Sequence, residues 1–184
     1  MASSSLHCAS AERLRWSAAG LLMLLAGCGA VDAPRARIED ARRLQRGDSL
    51  QLEVQQQLEF QPLMLEALAN GIGLRLDYHL QYCESAERAI RSLWLRYYPL
   101  AGEYEMRWEG EAQGRRFARR GSLLAALDRI RIELPARADK CELQLRVELE
   151  RSALPAPLRF PALIGLQDWR LVSGTYRLPA VAAP

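Results

Sequence analysis

The sequence has little of the chemistry on which most enzymes rely. Only 2 histidines occur in 184 residues, and His79 is the one that lies outside the N-terminal segment. The sequence contains no G-x-S-x-G nucleophile elbow, no P-loop and no dinucleotide-binding glycine motif. One histidine and two separated cysteines do not give the ligand spacing of a zinc site. The residue types therefore predict no catalytic site, no metal site and no cofactor, and a protein that is not an enzyme.

Two weaker catalytic patterns in the sequence have simpler explanations. His79 falls among charged residues on the polar face of a predicted strand, which favours a solvated histidine over a catalytic base. Glu103 and Glu105 could supply a glycosidase pair, but strand alternation places both in one row on a wet face. They are interpreted as solubilising charges.

No apolar run is long enough to cross a bilayer, which takes about 20 apolar residues. The apolar run at residues 16–26 follows Arg13 and Arg15 and ends in two small residues before Cys28. A basic flank, a short apolar core and small residues predict a cleaved signal peptide over residues 1–27. An accidentally apolar N-terminus and an ordinary secretory signal without lipid are the alternatives.

Leu25-Ala26-Gly27-Cys28 resembles the lipobox of bacterial lipoproteins. The resemblance implies a diacylglyceryl thioether on Cys28 and a mature chain that begins at this cysteine. Gly29, rather than Asp, follows it, which by the same resemblance implies the outer membrane, with the protein facing the periplasm. The expected partners are thus the membrane, through the lipid, and an unknown envelope protein or amphiphile.

After the leader, the length fits a single domain. Residues 28–47 show little apolar periodicity and are predicted to be a flexible tether, residues 48–178 to form the domain, and residues 179–184 to be a disordered tail. The formal net charge of the whole chain is +3, and a chain so close to balance is not expected to bind nucleic acid.

Cys83 and Cys141 are the cysteines left once Cys8 is removed with the leader and Cys28 carries lipid. In an oxidising periplasm such a pair can form a disulfide, here between the end of one predicted strand and the start of another. Two unpaired, partly buried thiols are the alternative.

Alternation of apolar and polar residues predicts an antiparallel, mainly β or α+β fold, either a sheet or a β-sandwich of about seven strands with two short helices. The clearest strands are residues 50–60 and 72–82; further strands are predicted at 90–98, 103–108, 115–118, 141–149 and 166–178. Pro62 opens a helix over residues 63–69, and Ser122 is expected to cap a second over 123–131. Residues 155–161 contain three prolines and are expected to run along an edge.

Two groups of residues are candidate contacts for a partner. Arg115, Arg116, Arg119 and Arg120 form the one dense charge cluster, which either contacts anionic lipids or an acidic protein, or protects an edge strand from pairing with other chains. Trp94 and Tyr98 lie in a strand with aromatic residues on both faces. They are either core residues or an exposed binding patch.

The chain resembles a bacterial envelope family catalogued as domain of unknown function 4390. The resemblance runs over residues 50–176 and rests on several short motifs, namely Gly71-Ile72-Gly73-Leu74, Leu95-Arg96-Tyr97-Tyr98, Arg151-Ser152-Ala153-Leu154-Pro155 and Trp169. It implies an exported protein and carries no catalytic residues. The expectation is a non-catalytic, periplasm-facing lipoprotein that binds or scaffolds an envelope partner. A carrier or chaperone for an amphiphile is the alternative.

Overall fold

Nine strands form two antiparallel sheets in the computed structural model, which describes residues 35–83, 88–135, 138, 141–163 and 169–180. The three-stranded sheet has the order β1-β2-β7 and the six-stranded sheet the order β6-β5-β4-β3-β8-β9. The elements are β1 (Ala36–Arg46), β2 (Ser49–Leu58), α1 (Pro62–Ala69), β3 (Leu74–Tyr82), β4 (Arg88–Tyr98), β5 (Glu103–Trp108), β6 (Arg115–Phe117), α2 (Arg120–Leu127), β7 (Arg129–Leu134), β8 (Leu143–Leu149), a 3-10 turn (Arg151–Ala153), α3 (Ala156–Leu163) and β9 (Tyr176–Leu178). The mainly β or α+β class is confirmed.

Strict alternation produced the strands that were predicted best. In β3, Leu74, Leu76 and Tyr78 are fully buried and alternate with more polar residues, and β8 repeats this pattern. Because successive side chains of a strand point to opposite faces, each strand turns one apolar row toward the core. The predicted helix after Pro62 is also present, and it ends where Gly71 adopts a positive φ of 81°.

The successive strands predicted over residues 90–98, 103–108 and 115–118 are present as β4, β5 and β6, which pair in order as an antiparallel meander. Gly114 allows β6 to return closely against β5. A Cβ atom at this position would lie 2.7 Å from the Cγ of Glu105 and 2.8 Å from the carbonyl oxygen of Met106. A larger residue there would force the two strands apart.

Gln56 connects the core sides of the two sheets. It is the polar residue that interrupts the apolar face of β2, and only 2% of its surface is exposed. Its Nε2 donates to the hydroxyl of Tyr78 at 2.8 Å and to the carbonyl oxygen of Leu127 at 2.9 Å. Burial raises the pKa of the Tyr78 phenol. One amide therefore links β2, β3 and the end of α2.

The predicted tether is wrong for residues 36–46, which form β1 and pair with β2 along its whole length. The apolar pattern was hidden by a β-bulge between Ile38 and Asp40. Ala36 and Ile38 are buried before the bulge and Ala41 after it, so the spacing changes from two residues to three. An inserted residue shifts the phase of a strand without ending it.

The predicted helix over residues 123–131 is wrong at both ends. The helix α2 begins at Arg120, and Arg119, not Ser122, occupies its N-cap position without a side-chain capping bond. Residues 129–134 form β7, in which Ile130 and Ile132 are buried. Ile130 fits a helical face and a strand face equally well, but the alternation that follows it is typical of a strand.

The proline-bearing segment does not run along an edge as extended chain, because residues 156–163 form α3. Pro155 and Pro157 lie at its start, where a missing N–H costs no helical hydrogen bond. The predicted closing strand over residues 166–178 is also wrong in extent, since among the described residues 169–178 only Tyr176–Leu178 form a strand, β9. Residues 164–168 lie outside the described residues.

Residues 171–173 nevertheless close the space between the two sheets. The N–H of Ser173 donates to the carbonyl oxygen of Val147 in β8 at 2.9 Å, and the N–H of Leu149 donates to that of Leu171 at 2.8 Å. Ser173 also forms a parallel bridge with Ala36 of β1. This short segment therefore contacts an edge of the three-stranded sheet and a strand of the six-stranded sheet at once.

Cys83 and Cys141 form a disulfide, one of the two alternatives left by the sequence. Their Cα atoms lie 4.9 Å apart, directly beyond the last paired residues of β3 and β8. Arg43 supports the same end of the sheet, since its guanidinium donates to the carbonyl oxygens of Ala138, Cys141 and Pro179. These contacts join β1, the disulfide and the end of the described chain.

The predicted signal peptide, the lipidation residue Cys28, the first part of the tether and residues 181–184 of the predicted tail lie outside the described residues. None of the described helices has the length and apolar character needed to cross a bilayer.

Candidate binding surface

The outer face of the six-stranded sheet carries the predicted contacts Trp94 and Tyr98. Directly opposed residues of antiparallel strands share a face, and the pairs Leu74–Leu95 and Leu76–Leu93 point into the core. The residues between them therefore point outward. Trp94 lies opposite Arg75 on one side and Arg107 on the other.

Trp94 is half-buried because two arginines cover its ring. The guanidinium carbon of Arg96 lies 5.0 Å from the ring centroid and that of Arg75 lies 5.9 Å from it. Both distances are within the range of a cation–π contact. Trp94 therefore serves as a support that orients two guanidinium groups, rather than as a bare aromatic platform.

Tyr98 and Arg116, which the sequence placed in separate groups, come together on this face. Arg116 lies 5.8 Å above the Tyr98 ring and forms an ion pair with Glu103 at 3.0 Å. The Tyr98 hydroxyl donates to Oε2 of Glu105 at 2.8 Å, and Glu105 is buried. The hydrogen bond from Arg116 to Glu103 raises the pKa of Arg116, which remains fully charged.

The other arginines of the cluster are not part of this arrangement. Arg115 points to the opposite face of β6, where its guanidinium lies 5.2 Å from the ring centroid of Phe117. Arg119 precedes α2, and Arg120 is its first residue. All four arginines of the cluster are exposed, but the structure places only Arg116 beside Tyr98.

We call the residues Arg75, Trp94, Arg96, Tyr98, Arg107 and Arg116 the arginine–aromatic surface. Arg75 pairs with Asp77 at 3.0 Å, and Arg116 pairs with Glu103. Arg96 and Arg107 make no ion pair within the described part of the chain, which leaves their charge available to a partner. Guanidinium groups bind carboxylates and phosphates through paired hydrogen bonds. Sequence reasoning missed Arg75 and Arg107, because their proximity to Trp94 depends on strand register. It also missed Arg96, which lies two residues after Trp94 in the same strand and could have been found from alternation alone.

Asp77 is a buried carboxylate next to this surface. Its side chain is 4% exposed, and Oδ2 accepts from Arg75 at 3.0 Å. Its Oδ1 has no hydrogen-bond partner within the described residues. A buried carboxylate is stable only when a charge compensates it, so Asp77 holds Arg75 in place over Trp94.

His79 is half-exposed, as expected of a strand histidine at the surface, but it has an acidic neighbour. Its Nε2 lies 3.0 Å from Oε1 of Glu148, whose Oε2 accepts from Arg146 at 2.6 Å. Within the described residues no serine, threonine or cysteine is hydrogen-bonded to His79. Nor do three metal-ligating side chains lie close enough together, within the described residues, to hold a metal ion.

The outer face of the three-stranded sheet holds a different ionic arrangement. Glu53 of β2 is 3% exposed and lies between Arg42 of β1 and Arg131 of β7. Arg42 contacts Oε1, and Arg131 donates to Oε2 at 3.1 Å. These hydrogen bonds, with that of Arg42 the strongest, hold the pKa of Glu53 below its ordinary value.

The fold and the surface define a β-rich domain with one charged, arginine-lined sheet face. The chain belongs to the family described as "Domain of unknown function (DUF4390)", whose model matches residues 33–179. This match includes β1, in agreement with its place in the domain rather than in a tether. No curated protein and no solved structure matches the chain.

Proposed function

We propose that this chain is a non-catalytic lipoprotein, anchored in the outer membrane by lipid on Cys28 and facing the periplasm. In this proposal it binds an acidic component of the cell envelope through the arginine–aromatic surface. The observation that carries the proposal is the pair of guanidinium groups of Arg96 and Arg107, which flank Trp94 without a carboxylate partner among the described residues. Arg96 stacks on the Trp94 ring, and an arginine that a ring already orients loses little side-chain freedom on binding an anion.

A carrier of an amphiphile is supported less well. That alternative needs a deep apolar space between the sheets and the helices. Large side chains with less than 2% exposure occupy that interior, among them Trp169, Tyr78 and Met64. A well-filled core leaves little volume for a lipid-like molecule.

The anchor is tested by the intact mass of the protein extracted from membranes. We expect a mass equal to that of residues 28–184 plus acyl groups. We also expect the Cys28→Ser variant to be absent from the membrane fraction. An unmodified mass, or a Cys28→Ser variant that stays with the membrane, would refute the anchor.

The surface is tested by photo-cross-linking in cells, with a photoreactive residue in place of Leu100 at the tip of the β4–β5 hairpin. We expect one main product, identified by mass spectrometry as an envelope protein with an acidic surface. Replacing Arg96 and Arg107 by Glu should remove it. The matched control replaces the exposed Arg37 of β1 and Arg129 of β7, which make no ion pair among the described residues, by Glu and should leave the product intact. Equal loss in both charge-reversal variants would contradict the proposal.

A further inference from the structure

A second feature of the six-stranded sheet is a groove over the far ends of β3, β4 and β8. Its volume is about 410 Å³, and Gln81, Arg88, Ile90, Gln144, Arg146 and Thr175 contribute to its lining. Most of these residues lie in two neighbouring rows that cross the sheet. In one row, Gln144, Gln81 and Arg88 lie opposite one another on three adjacent strands. Arg88 and Tyr98 are the two ends of β4, about 30 Å apart along the strand. The groove is therefore separate from the arginine–aromatic surface.

The charge of the groove favours anions. Arg88 is exposed and makes no ion pair with any described residue. Among the described residues of the lining, Glu148 is the one carboxylate, and both of its oxygens are engaged, by His79 at 3.0 Å and by Arg146 at 2.6 Å. The guanidinium of Arg88 is consequently left to a ligand.

The groove also has an apolar contact and neutral donors. Ile90, the third residue of β4, is 56% exposed and lies opposite His79. Gln81 and Gln144 carry side-chain amides on the same row as Arg88. The Nε2 of Gln144 donates one of its two hydrogens to Oε1 of Glu142 at 3.3 Å, so the other is left for a ligand. A cation, two amides and one apolar side chain converge in a volume typical of small-ligand sites, which span about 300–1,000 Å³.

We propose that this groove binds an organic anion, a phosphate monoester or carboxylate that carries a short apolar group. Arg88 binds the anionic oxygens, Gln81 and Gln144 donate to them, and the apolar group contacts Ile90. The proposal does not depend on the lipid anchor or on the partner of the arginine–aromatic surface.

The test titrates the whole protein with hexyl phosphate and, separately, with inorganic phosphate, and follows the side-chain amide signals of Gln81 and Gln144 by NMR. Both probes should shift these signals, hexyl phosphate at the lower concentration. Arg88→Gln should weaken the binding of both probes about tenfold, because the substitution removes a charge-assisted hydrogen bond. Ile90→Ser should weaken the binding of hexyl phosphate about fivefold and leave the binding of inorganic phosphate unchanged.

Arg129→Gln is the matched control, since Arg129 is also an exposed arginine without an ion pair among the described residues. It should bind both probes as the unaltered protein does. The proposal is overturned if neither amide shifts at about 10 mM hexyl phosphate, or if Arg88→Gln binds as tightly as Arg129→Gln. Arg88 and Ile90 are exposed, so neither variant disturbs the core.

A second arm identifies the source of the anion. Vesicles of phosphatidylcholine with phosphatidic acid present the same phosphate monoester as a lipid headgroup. If the unaltered protein sediments with these vesicles and the Arg88→Gln variant does not, the ligand of the groove is a lipid headgroup. Binding of hexyl phosphate without sedimentation would assign it to a soluble anion.

Discussion

Glu53 is a carboxylate held between two guanidinium groups on the outer face of the three-stranded sheet. Its low exposure makes the charge costly unless both Arg42 and Arg131 stay in place. The pKa of Glu53 is lowered in the folded protein, so folding is favoured most when this side chain is ionised.

Glu53→Gln should therefore change how stability depends on pH. The contribution of Glu53 is fully present above its unfolded pKa of about 4.3 and is lost as pH falls through the lower folded value. Urea unfolding at pH 7 should show that Glu53→Gln is clearly less stable than the unaltered protein. The difference between their free energies of unfolding should become smaller toward pH 3. Glu133→Gln, on the same face without an ion pair among the described residues, should show no such narrowing. Parallel pH curves for Glu53→Gln and the unaltered protein would contradict this assignment.

Gln56 is the second residue with a large expected effect. Gln56→Leu keeps the side-chain volume but leaves the Tyr78 hydroxyl and the Leu127 carbonyl without their partner. The free energy of unfolding should fall by about 2 kcal/mol, the cost of a buried polar group left unpaired. Gln57→Leu, at the exposed neighbouring position, should change it by less than about 0.5 kcal/mol. Equal urea midpoints for the two variants would show that the amide link does not stabilise the core.

At the scale of elements, the disulfide joins the end of β3 to the start of β8. Replacing Cys83 and Cys141 together by Ser should lower the free energy of unfolding by up to about 4 kcal/mol, because the bond closes a loop with a sequence separation of 58. Reductant should bring the unaltered protein to the stability of the double variant and leave the double variant unchanged. An unaltered protein that is insensitive to reductant would contradict the pairing.

The elements that could be predicted are those whose pattern has a single period. The strands β3, β5 and β8 were found because apolar and polar residues alternate in them without interruption, and β2 was found because Gln56 alone breaks its apolar row. β1 was missed because the bulge at Glu39 changes the phase of its pattern, and a window of fixed period then finds no strand. β7 was merged with α2 because Ile130 satisfies both periods.

The candidate surface was predictable only in part, for a different physical reason. Alternation could place Trp94 and Tyr98 on one strand, but it could not pair Tyr98 with Arg116. That contact arises from the registers of β4 with β5 and of β5 with β6, which long-range packing sets. The groove at Arg88 was missed for the same reason, since its residues come from β3 and β4 and from β8, which is distant from them in sequence.

At the scale of the whole molecule, the buried residues form one cluster to which both sheets contribute. The described part of the chain should therefore unfold in a single cooperative step. Far-ultraviolet circular dichroism and tryptophan fluorescence, which reports Trp94, Trp108 and Trp169 among others, should give the same urea midpoint. Two separated midpoints would show that the sheets unfold independently.

The segment at residues 171–173 has a consequence for how the protein reaches its native state. Ser173 contacts Ala36, so the first strand of the described chain gains this contact only after residue 173 has been made. Contacts over such a distance form slowly, because a long loop must close before they stabilise anything. The nascent chain consequently stays incompletely folded at least until residue 173 has been made, which is a state in which a polypeptide can still be threaded through a narrow passage.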